Sequence, residues 1–422
     1  MIVKLWRIAL TPLMQFGLFS AVFILAAGLA HAEVTVTTEL PAEVNAQLEL
    51  AGENRAELER AIAEVPAAQA SSLYFLISNM QSRDLQSLSA DMLLDNVRLA
   101  HQARKESKWQ ISDELFLNDV LPYANVDETR ENWRPEMHAR AAKIVEGCTT
   151  PGEAAQRLNQ KLFKEIKVKY STKRKKANQS PSESIEQGLA SCTGLSVLLV
   201  DACRSVNVPA RLVGVPSWTT KRGNHTWVEI WDDGAWHFTG AAEYNADGLN
   251  RGWFVRDASK ANKESRRHSI YALSFKKTDT LFPITWSRNS PKSYAVNVTD
   301  RYTQDSSQDA SDEIQLMVLV KNKASQERVV VSVKVQAVDD AKVLHEGLSR
   351  GETADTNDIL TFKLRRQSKY RLVIPGVADD LVVETKDAAQ QTVNVEVALD
   401  VPAGANEAEP TEKEMPNRSK DE

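Results

Sequence analysis

Three residue types that together can run acyl transfer occur within one stretch of this sequence: Cys192, His225 and Glu243. Cys192 lies in Ala190-Ser191-Cys192-Thr193-Gly194-Leu195-Ser196, where small residues after Gly188 permit a turn. The apolar residues Val197, Leu198, Leu199, Val200 and Ala202 then predict a helix that begins at or just after Cys192. A cysteine at a helix start meets unpaired backbone N–H groups and the positive end of the helix dipole. Both favour thiolate over thiol, and thiolate is the nucleophile. The same N–H groups can hold an oxyanion during attack on a carbonyl.

A thiol nucleophile needs a base. His225 precedes the strand expected over Thr226–Trp231, with Gly223 and Asn224 before it. Trp227 falls on the same strand face and can shield the imidazole from water. A third group normally fixes the imidazole. Asp233-Gly234 is a two-residue hairpin signal, and pairing across it sets Trp231 opposite Trp236 and Trp227 opposite Gly240. His225 then falls near Ala242 and Glu243, so the hairpin delivers an acid to the histidine end of the ladder; Asp247 is a weaker alternative.

The order Gly188-x-x-x-Cys192, Val208-Pro209-Ala210-Arg211, His225-x-Trp227-x-Glu229 and Trp236 resembles the transglutaminase-like superfamily over about residues 150–260. The resemblance implies a papain-like fold with the cysteine at a helix start and the histidine and acid on adjacent strands. It implies acyl-enzyme chemistry on amides, in a family of transamidases, amidases and proteases. The family usually has aspartate where Gly240 stands here, and Glu243 is the substitute this sequence offers.

Other residues weigh less. Cys203, three turns beyond Cys192, reads as core, and Cys148 follows Gly147 in a loop-like stretch; a Cys148–Cys203 disulfide and three free thiols are both compatible with an odd cysteine count. His237 faces away from His225. Trp218, Trp227, Trp231 and Trp236 could form an acceptor-binding wall, with Trp218 and Trp227 the candidate substrate-binding residues and core packing the default for most of the four. Cys192, His225 and His237 lack the short paired spacings of zinc ligands, so no metal is expected. No phosphate-binding glycine loop or dinucleotide fingerprint occurs, so no cofactor is expected.

These residues need elements to position them. The whole pattern predicts an α+β protein. Residues 33–140 read as a helical region, with runs over Ala46–Leu58, Arg60–Val65, Ser72–Met80 and Ala90–Lys105 and a shorter one after Ser112. Residues 141–265 form the papain-like core, with helices over Glu153–Phe163 and from Thr193 to about Val206, and strands over Ala210–Val215, Thr226–Trp231 and Ala235–Thr239. Residues 266–292 read as a connector. Short β-branched runs over 293–400 resemble a transthyretin- or immunoglobulin-like sandwich, and residues 401–422 are expected to be disordered. Lys173-Arg174-Lys175-Lys176 reads as a solvated loop or as a positive rim beside the site.

Lys4, Arg7, the apolar run Phe16–Ala30 and Ala30-His31-Ala32 make residues 1–32 a signal peptide, with an uncleaved anchor as the alternative. Without them the charge is −7, from 50 basic and 57 acidic residues. That is a mildly acidic, exported chain, periplasmic or extracellular, with no nucleic-acid partner and no membrane insertion after signal removal. The function expected is thiol-dependent hydrolysis or transfer at a protein, peptide or cell-envelope amide, hydrolysis favoured. The alternative is a degenerate envelope scaffold.

Overall fold

The structure is a computed structural model and describes residues 39–219, 223–287, 293–303, 312–339, 342–377 and 381–399. The expected signal peptide and the expected disordered tail lie outside these residues. Every element below belongs to one unit that starts at Pro41.

Six helices come first: α1 Ala42–Leu50, α2 Arg55–Glu64, α3 Ala70–Asn79, the single turn α4 Ser82–Leu85, α5 Ala90–Glu106 and α6 Asp113–Asp119. The helical run expected over Ala46–Leu58 is split, because Gly52 takes a left-handed φ of +59° just after α1. Ser89 caps α5 by accepting from the Met92 N–H, and Ser112 caps α6 through the Leu115 N–H, both at 3.3 Å.

The core adds α7 Arg134–Ile144, α8 Pro151–Ile166, α9 Pro181–Gln187 and α10 Cys192–Ser205, with β1 Lys169–Tyr170 parallel to β2 Leu189–Ala190. Helix α10 is buried on every side from Thr193 to Ser205. It packs with α7, α8 and the sheet in one apolar cluster that includes Leu158, Leu162, Leu198, Leu199, Val228 and Ile230. Buried Arg134 pins the helical region to this core, donating to Asn96 Oδ1 at 2.8 Å and to the carbonyls of Val120 and Arg204 at 2.9 and 3.1 Å.

Strands β3 Ala210–Val215, β4 His225–Asp232 and β5 Ala235–Thr239 follow, then the turn α11 Val255–Ala258, β6 Tyr271–Leu273, β7 Thr280–Phe282, β8 Ser293–Asn297 and α12 Thr299–Thr303. The sheet order is β5-β4-β3-β6-β8-β7, antiparallel throughout. Trp231 pairs with Trp236, the register that the Asp233-Gly234 turn dictates. The stretch read as a connector thus supplies two further strands, β6 and β7, to the core sheet. They are three residues each, too short for an alternating pattern to show.

Seven more strands make two packed sheets, ordered β12-β9-β15 and β11-β10-β13-β14. They are β9 Glu313–Asn322, β10 Ser332–Ala337, β11 Val343–Leu348, β12 Leu360–Arg365, β13 Lys369–Val373, β14 Leu381–Glu384 and β15 Gln390–Val397. Inward residues such as Leu316, Val318, Val335, Phe362 and Leu372 fill the space between the sheets. Strands β11 and β14 are the edges of their sheet, and β11 is exposed along nearly its whole length, so its residues show little apolar alternation to read. The architecture is α+β: a helical N-terminal region, a helix-plus-antiparallel-sheet core and a C-terminal β-sandwich.

Candidate active site

Cys192 is the first residue of α10. Ser191 caps the helix, accepting from the Gly194 N–H at 3.0 Å and donating to the Ala177 carbonyl at 2.5 Å. The sulfur is half-buried, whereas Cys148 and Cys203 are fully buried; all three thiols are free. Burial pushes the Cys203 thiol out of the range in which a thiolate forms. The strand that carries His225 is tied to this helix start, because Thr226 Oγ1 donates to Thr193 Oγ1 at 3.1 Å.

His225 opens β4 opposite Val215 and is 1% exposed. Its ring packs among Trp218, Trp227, Trp253 and Phe254, with the Trp253 centroid 4.6 Å away. Trp218 and Trp227 stack nearly parallel behind it and are as buried as the ring itself, Trp227 donating to Tyr302 Oη at 2.9 Å. These two candidate substrate-binding residues therefore form the wall behind the imidazole.

The remaining motif residues do structural work nearby. Glu229 is fully buried and accepts from Arg211 at 2.7 and 2.9 Å, from Tyr302 at 2.8 Å and from Arg301. Arg211 also lies over the Trp236 ring at 3.8 Å. The Pro-Ala-Arg and His-x-Trp-x-Glu segments thus meet as one buried ion pair across β3 and β4.

Glu243 sits in the turn after β5. Asn159 shapes that turn, donating to the Gly240 carbonyl at 2.8 Å and accepting from the Ala242 N–H at 2.9 Å. Glu243 Oε1 accepts from the Trp253 indole at 3.0 Å, and Oε2 has no partner. A Cβ at Gly240 would lie 2.0 Å from Oε2, so the Glu243 carboxylate fills the space where a side chain at Gly240 would begin. Burial pushes this carboxyl up to about 7, against the pull of the His225 charge.

A residue that sequence reasoning did not name also reaches the imidazole. Asp355, in the sandwich loop between β11 and β12, places Oδ2 at 3.5 Å from His225 Nδ1. The Cys192 sulfur, a His225 ring nitrogen and an Asp355 oxygen all lie within 4.8 Å of one another. Burial works against charge on His225, but Asp355 and the Cys192 sulfur outweigh it and push the imidazole up to about 10. Burial also opposes charge on Asp355, and His225 with the Asn357 N–H outweighs it, holding that carboxyl below its ordinary value. The loop is clamped on three sides. Tyr170 Oη meets Thr356 Oγ1 at 2.6 Å, Asn357 donates to the Asn224 carbonyl at 3.1 Å, and Arg328 donates to the carbonyls of Ala354, Asp355 and Asp358. Its Asn357-Asp358 signal marks a turn and says nothing of where that turn docks.

The basic stretch after β1 is partly neutralised: Lys173 pairs with Glu327 at 3.1 Å and Lys176 with Glu183 at 2.7 Å. Among the described residues no helix is long and apolar enough to cross a membrane.

A helix-borne thiol faces a strand-borne imidazole beside an antiparallel sheet, the arrangement that the transglutaminase-like resemblance implies. Residues 138–241 match the family model of the transglutaminase-like superfamily. No curated protein is significantly similar to the chain. Similar solved structures include a candidate cysteine protease from Cytophaga hutchinsonii (16% identity, TM-score 0.26, 44% of this chain and 64% of that one). They also include red sea bream transglutaminase (9% identity, TM-score 0.25, 60% and 57%) and the Bacillus anthracis TIE protein (11% identity, TM-score 0.17, 45% and 30%). The chain thus spans less than two thirds of each, and at such scores these likenesses carry no argument about its activity.

Proposed function

We propose that this chain is a thiol-dependent acyl-transfer enzyme acting on amide bonds, with Cys192 as nucleophile and His225 as acid and base. The observation that carries this is the approach of the Cys192 sulfur to the His225 ring at the start of a buried helix in a transglutaminase-like core.

In the proposed reaction His225 holds the proton that leaves the Cys192 sulfur. The sulfur adds to the amide carbonyl, forming a C–S bond, and the backbone N–H of Cys192 with a second, unassigned donor holds the oxyanion. The C–N bond breaks as His225 passes its proton to the leaving amine. Water, deprotonated by His225, then adds to the thioester, and the carboxylic acid leaves as the C–S bond breaks and the thiol is restored. An amine in place of water gives transamidation. Hydrolysis is favoured, because it needs no second acceptor pocket.

Glu243 is proposed as the group that steadies the imidazole, through Trp253, which it holds against the ring. Trp218 and Trp227 keep water from the back of the ring. The substrate is proposed to be a protein, peptide or envelope amide met after export through the leader over residues 1–32.

The test is alkylation by iodoacetamide at near-neutral pH, followed by mass spectrometry. Cys192 is expected to label first and faster than a model thiol of pKa about 8.5, with labelling abolished in Cys192→Ala. Labelling no faster than the model thiol would overturn the reading. Product analysis on a peptide amide, free acid against amine adduct, separates hydrolysis from transfer.

A further inference from the structure

A thiol–imidazole–acid relay bonds the thiol and the acid to opposite ring nitrogens, so that the ring stands between them. With hydrogen bonds of ordinary length, sulfur and carboxylate are then roughly 7 Å apart. Here the Cys192 sulfur and an Asp355 oxygen are within 4.8 Å of each other and of the same ring nitrogen. Asp355 therefore stands on the sulfur's side of the imidazole. Three donors of different softness converge on one point: thiolate, imidazole and carboxylate.

We propose that Cys192, His225 and Asp355 form a site for one zinc-like divalent cation, assembled across the core and the sandwich. Sulfur, nitrogen and oxygen at one apex is a donor set that zinc accepts, with three protein ligands and a fourth position open to water. The convergent polar atoms lack partners: neither ring nitrogen of His225 nor Asp355 Oδ2 has a hydrogen-bond partner of good geometry, and the two residues are 1% and 5% exposed. Buried polar groups are ordinarily satisfied, so orphans that face one another point to a group that satisfies them.

The carboxylate is held for this purpose. Its Oδ1 accepts from the Asn357 N–H at 2.8 Å and from the Asn357 side chain at 3.1 Å, which leaves Oδ2 aimed at the imidazole. Ligand carboxylates are oriented by such outer hydrogen bonds. Arg328 grips the backbone carbonyl of Asp355 and leaves its carboxylate facing His225.

Binding displaces every proton the two ligands carry: as the bonds to sulfur and to a ring nitrogen form, the ring proton of a charged His225 is released, and the thiol proton with it where the sulfur still holds one. The sulfur is then unavailable as a nucleophile, so the cation holds the thiol latent. The site itself does not require the acyl-transfer reading; only this consequence does.

The experiment is a titration of metal-free, tag-free full-length protein with Co²⁺, read by the thiolate-to-cobalt charge-transfer absorption and by displacement with Zn²⁺. One equivalent is expected to bind. The band should vanish in Cys192→Ser, and affinity should fall at least tenfold in Asp355→Asn and in Asp355→Ala, each checked for folding by circular dichroism. Cys148→Ser, which changes a free thiol outside the cluster, should bind like wild type. Absence of the band, or equal affinity in both Asp355 variants, would overturn the site. Alkylation of the metal-free protein reads the other claim separately. A slow thiol with an intact cobalt site sinks the nucleophile reading alone; a fast thiol with no band sinks the cation site alone.

Discussion

The place of Gly240 can be tested without any substrate. A Cβ added there would sit 2.0 Å from Glu243 Oε2, 2.6 Å from its Cδ and 3.0 Å from its Cβ. Gly240 does not use a left-handed φ, so alanine meets no backbone penalty. The cost of Gly240→Ala must then come from displacing the Glu243 carboxylate, which breaks its bond from Trp253. Overpacking of this kind costs about 1–3 kcal/mol. In a Glu243→Ala background the 2.0 and 2.6 Å overlaps are gone and the 3.0 Å contact with Cβ remains, and a glycine-to-alanine change at a permitted φ stabilises by about 0.4–1 kcal/mol through the unfolded chain. The double-mutant cycle should therefore show about 1–3 kcal/mol of coupling. Urea denaturation of wild type, both single variants and the double variant measures it. Equal cost in the two backgrounds would refute the idea that Glu243 occupies the space a side chain at Gly240 would need.

Three further outcomes are expected. Arg211→Met should cost about 3–5 kcal/mol in chemical denaturation, because Glu229 is left buried with one cation fewer; a loss under 1 kcal/mol would count against the buried pair. Ser191→Ala should cost about 1 kcal/mol and slow Cys192 alkylation, since the cap that sets the first turn of α10 is lost; an unchanged alkylation rate would separate the cap from the thiol. Glu243 has a folded carboxyl raised to about 7, so its stabilising share is complete below the unfolded value of 4.5 and is lost as pH rises through 7. Glu243→Gln stays neutral and should gain on wild type between pH 5 and 8, by at most about 3 kcal/mol; parallel melting curves across that range would refute it.

What the sequence made legible was local. The α10 start at Cys192, the Asp233-Gly234 hairpin and its Trp231–Trp236 register follow from turn chemistry and period, and all three are present. The sandwich was visible where strands are buried and rich in apolar residues, as in Ile314–Val320, and faint at the exposed edge strand β11. The strands β6 and β7 were invisible because three residues hold too little alternation. Asp355 was beyond reach for a different reason. It lies 130 residues from His225 in a loop of Gly, Thr, Asn and Asp, and those residue types satisfy their own turn before they say anything about a distant surface.

That distance is itself informative. The core hairpin ends in a glycine and a glutamate, and that glutamate is bonded to the Trp253 indole rather than to the imidazole. Asp355, which faces the imidazole, belongs to a separate sheet pair and is brought there by Tyr170, Asn224 and the Arg328-braced loop. The electrostatics of His225, fixed in part by its burial and by the Cys192 sulfur, therefore also depend on how the sandwich docks. Any change that loosens the Thr356–Tyr170 contact should reach the imidazole without touching a residue of the core sheet. Tyr170→Phe removes the hydroxyl that meets Thr356 Oγ1 and accepts from the Thr356 N–H, at 2.6 and 3.2 Å, while keeping the ring. The imidazole should then titrate lower, by NMR of the His225 ring, because Asp355 is less firmly held against it. A His225 titration identical to wild type, in a folded Tyr170→Phe protein, would show that the loop stays in place without that anchor.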